Sequence, residues 1–326
     1  MIALHRLDAP SETAIAAART VITEAEVNDG TAPVSDQALL SAAQGKRELV
    51  LFADSPVSER ILAAGIVGEG ELDLVVRPSE RGRGVGTAAL TALLDVADAA
   101  AGGGSGAGSG SDTATLLAWA HGENPAAEAL LSRSGFTPVR SLYRMTLDPV
   151  LLPSDGRDPL AIPHAPEFAL HTFDAERDSA EWVRVNAAAF ATHPEQGRIT
   201  QDDFALMRAA DWFDPDDLIL LTGARNEVIG STWIKTVRDQ SAGTVETELY
   251  AVGVDPAHAG QGLGRLLLDV TLARMAQHQP ESVSLYVDGE NERAVRMYEA
   301  AGFTIDSRSR QWSRTQVSDV GARIGS

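Results

Sequence analysis

The sequence predicts an α/β (α+β) protein built from two tandem copies of one domain, and three observations lead there. First, residues 248–268 read E-L-Y-A-V-G-V-D-P-A-H-A-G-Q-G-L-G-R-L-L-L. Tyr250, Val252 and Val254 recur at period two, a strand signal, and Asp255-Pro256 ends the run because proline fixes φ and cannot donate to a ladder. Gly260, Gly262 and Gly264 follow at alternate positions, and Leu266, Leu267, Leu268, Val270, Leu272 and Met275 predict a helix. Second, L-V-V-R-P-S-E-R-G-R-G-V-G-T-A-A-L, residues 74–90, aligns without a gap on residues 252–268. Third, H-G-E-N-P-A-A-E-A-L-L-S-R-S-G-F-T (121–137) aligns with D-G-E-N-E-R-A-V-R-M-Y-E-A-A-G-F-T (288–304). Two matched stretches in the same order mark a tandem repeat.

The remaining elements fall around these landmarks. Helical patterns cover 11–27 and 34–43, and short apolar runs at 48–53, 61–67 and 71–76 read as a strand meander. A helix over 86–101, a strand over 115–120, a helix over 124–134 and an extended segment over 136–147 complete the first copy. The second copy repeats the order: helices at 181–190 and 201–208, strands at 218–223, 228–237 and 248–254, the glycine loop and its helix, then strand 282–287, helix 292–301 and a final extended segment to 314. The domains are therefore placed at 1–148 and 169–315, with a proline-rich linker at 149–168 and a polar tail at 316–326. Residues 99–111, A-A-A-G-G-G-S-G-A-G-S-G-S, are an insertion. Gly84 to Gly135 spans 51 positions against 40 for Gly262 to Gly302, and a tract of this composition is expected to stay disordered.

Composition narrows the class. A chain of 326 residues suits two domains, each able to bury a core. No apolar run reaches 18 residues, so no membrane span is expected, and the start lacks the features of a signal peptide. With no cysteine there is no disulfide, no thiolate nucleophile and no cysteine metal site, which fits a cytoplasmic protein. The net charge of −19 repels nucleic acid and anionic membranes. His193 has no second ligand at metal spacing, and no metal is expected.

A glycine loop between a strand and a helix aims backbone N–H groups at an anion, at the positive end of the helix dipole. The order strand, R/Q-x-x-G-x-G/A loop, helix, strand, Asn-containing turn, helix, Gly-Phe resembles the GCN5-related N-acetyltransferase (GNAT) superfamily. Arg81-Gly82-Arg83-Gly84-Val85-Gly86 fits that loop in full; in the second copy Ala259 stands where Arg or Gln is usual. The resemblance is closer to one family within it, the mycothiol synthases of actinobacteria. E-L-D-L-V-V-R-P, L-A-W-A-H-G-E-N-P-A-A, W-V-R-V-N-A-A-A-F-A-T-H-P-E-Q-G, D-W-F-D-P-D-D and L-Y-V-D-G-E-N-E-R-A-V-R-M-Y-E carry it, over nearly the whole chain outside the linker and the glycine tract. It implies two GNAT domains, each a mixed, mostly antiparallel central sheet flanked by helices. It also implies acetyl transfer from acetyl-CoA to the cysteinyl amine of cysteinyl-glucosaminyl-inositol, catalysed by the C-terminal half. The N-terminal half would hold acetyl-CoA without turning it over, and a monomer is the expected state.

Acetyl transfer to an amine needs a base for the amine, polarisation of the thioester carbonyl, an acid for the departing thiolate and an anchor for the pyrophosphate. Backbone N–H groups of Gly260, Gln261, Gly262, Leu263, Gly264 and Arg265 suit the anchor, with Ala259 at its edge. Val252, Gly253 and Val254 lie where the superfamily binds the pantetheine arm and the thioester oxygen. The resemblance extends the cofactor site to Asn291, Glu292, Arg293, Ala294, Val295 and Arg296. In the N-terminal half it implies Leu74, Val75 and Val76, then Gly82, Arg83, Gly84, Val85, Gly86 and Thr87.

Glu248, at the start of an otherwise apolar strand leading to the loop, is the candidate base, because partial desolvation there would raise its pKa. Tyr286, in the next strand, is the candidate acid, with Tyr298 as the second choice, seven residues after Asn291. The repeat places Gly70 opposite Glu248, Trp119 opposite Tyr286 and Leu131 opposite Tyr298, so the N-terminal half lacks all three groups. By resemblance, Asp36, Glu195, Lys235 and Glu248 would contact substrate beside Tyr286; Asp36 stands where the family carries Glu. Two other readings share these residues: a GNAT enzyme for another small amine or a peptide N-terminus, and a non-catalytic acetyl-CoA-binding regulator. A dinucleotide-binding Rossmann fold does not fit, since the glycine loops come mid-domain and no ribose-binding acid follows.

Overall fold

The computed structural model describes residues 5–7, 12–56, 58, 60–102, 115–191, 196–239 and 241–315, without the side chains of 6, 7, 36, 101 and 102. In chain order its elements are β1 (His5–Leu7), α1 (Glu12–Asp29), α2 (Asp36–Ala43), β2 (Glu48–Ala53), β3 (Ile61–Gly68), β4 (Glu71–Val76), α3 (Val85–Gly102), β5 (Thr115–Ala120), α4 (Pro125–Arg133) and β6 (Thr137–Leu147). The second half adds β7 (Ala169–Thr172), α5 (Ala175–Ala189), α6 (Gln201–Arg208), β8 (Leu218–Thr222), β9 (Val228–Asp239), β10 (Thr244–Val254), α7 (Leu263–His278), β11 (Ser282–Asp288), α8 (Glu292–Glu299) and β12 (Thr304–Thr315). Two compact units result, one from residues 1–142 and 307–326, the other from 143–306.

In the N-terminal unit β1 to β4 form an antiparallel meander, and β5 runs parallel to β4 over two residue pairs only, Glu71 with Leu117 and Leu72 with Ala118. Residues 310–315 of β12 pair antiparallel with β5. Alternation along the strands supplies two apolar faces. Val50, Phe52, Leu72 and Leu116 pack against α3 and α4, while Leu49, Leu51, Ile66 and Val75 pack against α1 and α2.

The C-terminal unit has strand order β6, β11, β10, β9, β8, β7. β10 is parallel to β11 and antiparallel to β9, and β7, β8 and β9 are antiparallel neighbours. One sheet face packs Ile234, Leu249 and Leu285 against Leu268, Leu272 and Met275 of α7 and Tyr298 of α8. The opposite face buries Trp182, Phe204 and Trp233, stacked or edge-on with ring centroids 4.0 to 5.8 Å apart. Each such fully buried side chain contributes on the order of 2–3 kcal/mol. Asp174 caps α5 through the amides of Glu176 and Arg177, and Thr200 and Asp203 form a capping box on α6.

Four differences from the sequence reading have physical causes. The segment 149–168, expected as a linker, lies in the C-terminal unit: Asp148 and Asp158 cap proline-initiated 3-10 turns at Pro149–Leu151 and Pro159–Ala161, and Leu152 and Ile162 are buried in the core. The last strand of each copy serves the other unit, since β12 pairs with β5 and β6 lies beside β11. Helix α5 starts at Ala175, because Asp174 rather than a later residue caps it. β10 starts at Thr244, so Glu248 sits mid-strand with a neighbour on each side. The glycine insertion from 103 onward and the tail 316–326 lie outside the described residues, as does any test of their expected disorder.

Candidate active site

The register of three neighbouring strands builds the site. Glu248 on β10 faces Lys235 on β9 across the antiparallel ladder and Ser284 on β11 across the parallel one. Side chains at paired positions point the same way, and so do residues two apart. Glu248, Lys235 and Tyr286 therefore share one face, opposite to Leu249, Ile234 and Leu285 in the α7 core. On β6, Met145 and Leu147 are buried in that same core, which turns Arg144 to the Glu248 face. Arg144 lies near the Tyr286 hydroxyl, where its charge opposes the upward shift of the phenol, and it pairs with Asp306 of β12.

Electrostatics follow from this crowding. Burial pushes the Glu248 carboxyl above the usual glutamate range, against the opposing pull of Lys235 and Arg144. The Tyr286 phenol is also raised, first by burial and then by the Glu248 charge, while Arg144 works the other way. Tyr286 nevertheless keeps 49% of its surface exposed, whereas Tyr298 is 5% exposed. Tyr298 packs edge-on to Phe303 at 5.9 Å in the α7–α8 core, where burial pushes its phenol far up. The structure thus brings Tyr286, and not Tyr298, into the row with Glu248 and Arg144. The Lys235 ammonium sits 5.5 Å from the centre of the Trp212 ring, itself packed on Trp233 and Tyr250.

A bulge between Leu249 and Ala251 shifts the β9–β10 register, placing Tyr250 and Ala251 together on the aromatic face. Beyond it the recorded β10–β11 pairing stops at Leu249 and Leu285, so Val252, Gly253 and Val254 border a gap between diverging strands. Gly253 admits no side chain, since a Cβ there would lie 2.8 Å from Ala189 of α5.

The glycine loop lies at the end of this gap. Asp255 caps the 3-10 turn Pro256–His258, and Ala259 follows. Gly260 and Gly262 have φ of 81° and 79°, left-handed values that disfavour any side chain, although a Cβ would meet no protein atom. Gly262 is the N-cap of α7 and offers no side-chain bond to the first amides, whereas Ser35, Asn124, Asp174, Thr200 and Asn291 cap their helices. An uncapped helix start on open glycines fits an anionic group such as a pyrophosphate. Leu263 is buried, anchoring the first turn, and Arg265 pairs with Asp269. Across from it, Asn291 spends its side chain on the Ala294 amide, Glu292 pairs with Arg296, Arg293 is exposed, and Ala294 and Val295 pack on the core.

The N-terminal unit has a similar gap with different contents. Gly82 and Gly84 are again left-handed, with Val85 buried, Gly86 close to Val76 and Leu130, and the Thr87 carbonyl bonded to Thr91. The loop arginines are already paired: Arg81 with both oxygens of Asp29 at 2.7 Å, and Arg83 with Glu80 at 3.3 Å. Leu74, Trp119, His121 and Asn124 line a cavity of about 40 Å³, while Val75 is buried on the opposite face. On the face corresponding to Glu248 a buried Arg47 bonds Asp73 at 2.6 Å and Glu71 at 3.1 Å.

Glu195 and His193 lie outside the described residues, as does the side chain of Asp36, the first residue of α2. Sequence reasoning missed Arg144, Asp306 and Trp212. Only D-W-F-D-P-D-D pointed at Trp212, and nothing local could assign Arg144 to this unit, because that depends on the strand exchange.

Comparison with known proteins agrees with this geometry. The Acetyltransferase (GNAT) family profile matches residues 182–303. A GCN5-related N-acetyltransferase from Sphaerobacter thermophilus superposes with a TM-score of 0.67 at 19% identity, covering 96% of this chain and 95% of that one. A tandem GNAT protein from the clavulanic acid biosynthesis pathway superposes with 0.66 at 19% identity, covering 97% and 99%. Fold and site define an acetyltransferase of the GNAT class. The chain is 38% identical over 285 residues to the mycothiol acetyltransferase of Sanguibacter keddieii, covering 86% of each, and 36% identical over 311 residues to that of Nocardia farcinica, covering 92% of each. It belongs to the mycothiol acetyltransferase family. Such a family and fold imply acetyl-CoA as the acyl donor and a small-molecule acceptor. Among the described residues no helix is long and apolar enough to cross a membrane.

Proposed function

We propose that the C-terminal unit transfers the acetyl group of acetyl-CoA to the cysteinyl amine of cysteinyl-glucosaminyl-inositol, giving mycothiol. The observation that carries this is the row Lys235, Glu248, Tyr286 on one sheet face beside the strand gap, together with the relatives' name.

Acetyl-CoA supplies an activated acyl group on a good leaving sulfur. The α7 amides and the left-handed glycines hold its pyrophosphate, and the main chain of 252–254 receives the arm leading to the thioester. Glu248, raised by its partial burial, takes a proton from the ammonium of the acceptor, and the freed amine attacks the thioester carbon. As the C–S bond breaks, Tyr286 gives its proton to the sulfur. By the family resemblance, Lys235 and Glu195 contact the polar sugar-inositol. Tyr298, buried in the core of this unit, stays the second choice for the acid.

In the N-terminal unit Gly70 replaces Glu248, and Arg47 with Asp73 fills the acceptor face, which supports a non-catalytic role for that unit. Its glycine loop still suits acetyl-CoA. The protein is expected to act as a monomer in the cytoplasm, with no metal.

Mass spectrometry of the protein with acetyl-CoA and cysteinyl-glucosaminyl-inositol tests the reading, with glucosaminyl-inositol and free cysteine as controls. One acetyl on the cysteinyl amine of the full acceptor is expected. Acetylation of a control alone, or of nothing while acetyl-CoA binds, overturns the acceptor assignment.

A further inference from the structure

The half-buried indole of Trp212 stands beside Lys235 on the sheet face that carries Glu248. Trp182 and Trp233, 1% and 0% exposed, fill the core beneath it. Trp212 packs on Trp233 and Tyr250, with ring centroids 5.4 and 5.2 Å apart, and keeps part of its surface open. The next residue, Phe213, is edge-on to Phe173 and Trp233, which fixes the loop at this point. The repeat shows that this loop is an addition. In the N-terminal unit α2 and β2 are joined by four residues, 44–47, none of them aromatic. The matching join in the C-terminal unit, α6 to β8, takes nine residues, 209–217, and carries Trp212 and Phe213. The longer loop and its open indole thus occur in the unit that bears Glu248.

An acceptor with its amine at Glu248 must lay its next group against the neighbours of that carboxylate. Lys235 is the direct cross-strand partner of Glu248, and such partners stand about 5 Å apart at Cβ. The Trp212 ring centre lies a further 5.5 Å from the Lys235 ammonium. A short amide link separates the cysteinyl amine from the glucosamine ring, so that ring, and not the inositol beyond it, falls within this reach. A pyranose presents C–H groups on its faces and hydroxyls at its rim. An indole suits the faces, and an ammonium with three donors suits the rim. We propose that Trp212 is a specificity-determining residue of the acceptor site: its indole is the platform on which the glucosamine ring stacks, with Lys235 at the polar rim. The inference rests on the acceptor reading given above.

The test uses the full chain with Trp212→Leu, Trp212→Phe, Lys235→Met, and Trp212→Leu combined with Lys235→Met. In Trp212→Leu, KM for cysteinyl-glucosaminyl-inositol is expected to rise about 10-fold, with KM for acetyl-CoA unchanged and a much smaller change in kcat. Trp212→Phe keeps a smaller aromatic face and is expected to recover most of that loss. If the indole touches the sugar itself, the Trp212→Leu loss persists in the Lys235→Met background. A loss that vanishes there makes Trp212 only a support for the lysine and overturns the inference. Saturation-transfer NMR on the wild-type enzyme, irradiating aromatic protons with cysteinyl-glucosaminyl-inositol present and acetyl-CoA absent, carries the test should Trp212→Leu not fold. Saturation is expected on the glucosamine C–H protons; its absence there, or its confinement to the inositol, overturns the platform. Wild-type enzyme that acetylates the acceptor while Trp212→Leu leaves KM unmoved overturns this inference alone. Wild-type enzyme that leaves the acceptor unacetylated overturns the acceptor reading beneath it, and the platform falls with it.

Discussion

Glu248 and Lys235 are direct partners across the β9–β10 ladder, with the carboxylate partly buried and the ammonium resting on the Trp212 ring. The lysine lowers the glutamate's pKa while burial raises it, and burial prevails. A base must be ionised to act, so kcat/KM is expected to rise with pH through a value above the usual glutamate range. Lys235→Met removes the lowering influence and is expected to move that acid limb to higher pH. A pH–rate profile of both enzymes decides it.

Glu248→Gln is expected to lower kcat by about 10²- to 10⁴-fold, with acetyl-CoA affinity unchanged by calorimetry. Stability should move the other way. With its folded pKa raised, Glu248 binds a proton in the native state at pH values where the unfolded chain has released it, so its contribution falls as pH rises through that window. The glutamine variant is therefore expected to melt at or above the wild-type temperature near neutral pH, and a lower melting temperature there would count against the burial argument.

The two tyrosines should separate cleanly. Tyr286→Phe is expected to lose about 10²-fold in kcat with little change in melting temperature, because the side chain is 49% exposed. Tyr298→Phe keeps the ring against Phe303 and is expected to leave kcat within about twofold. Steady-state kinetics of both variants, beside their melting curves, provides the check.

Much of this arrangement was legible before the structure. The bounds of β2, β4, β5 and α6 follow from apolar runs and breakers in their own residues, and the glycine loops mark the candidate anion site. Glu248 and Tyr286 could be singled out because the repeat supplies Gly70 and Trp119 as contrasts. The exchange of β6 and β12 was not legible, since a strand's pattern states which face is buried but not which strand lies beside it. For the same reason Arg144 went unnoticed. Prolines at 149, 153, 159, 163 and 166 suggested a linker, yet Leu152 and Ile162 between them were the signal that this segment packs.

Asp217 ties the loop bearing Trp212 to the far end of α7. Its carboxylate is fully buried and receives Arg274 and His278 at 2.7 Å and the Thr236 hydroxyl at 2.9 Å. Burial alone would raise its pKa, but the bonds from His278 and Arg274 outweigh that and hold it below the usual aspartate value. The stability it contributes is present above the unfolded pKa and is lost as pH falls through the folded one. Asp217→Ala leaves Arg274, His278 and the buried Thr236 hydroxyl without this acceptor and is expected to cost about 3–5 kcal/mol, read from denaturant unfolding. A KM for the acceptor that rises in the same variant would follow from displacement of Trp212 under Lys235.

Arg47 tests whether the N-terminal unit is separate from the chemistry. It is 5% exposed, donates to Asp73, to Glu71 and to the Ile66 carbonyl at 3.2 Å, and belongs to a face that in the other unit bears Glu248. Arg47→Met strands the buried Asp73 carboxylate, and a broken buried pair costs about 3–5 kcal/mol. A lowered melting transition is expected, while kcat measured below it stays at the wild-type value. Adding Asp73→Leu removes the stranded charge and is expected to recover most of the loss, because an apolar pair of similar volume can replace a buried ion pair. If kcat instead fell in Arg47→Met and returned with the double variant, the N-terminal face would have to take part in turnover.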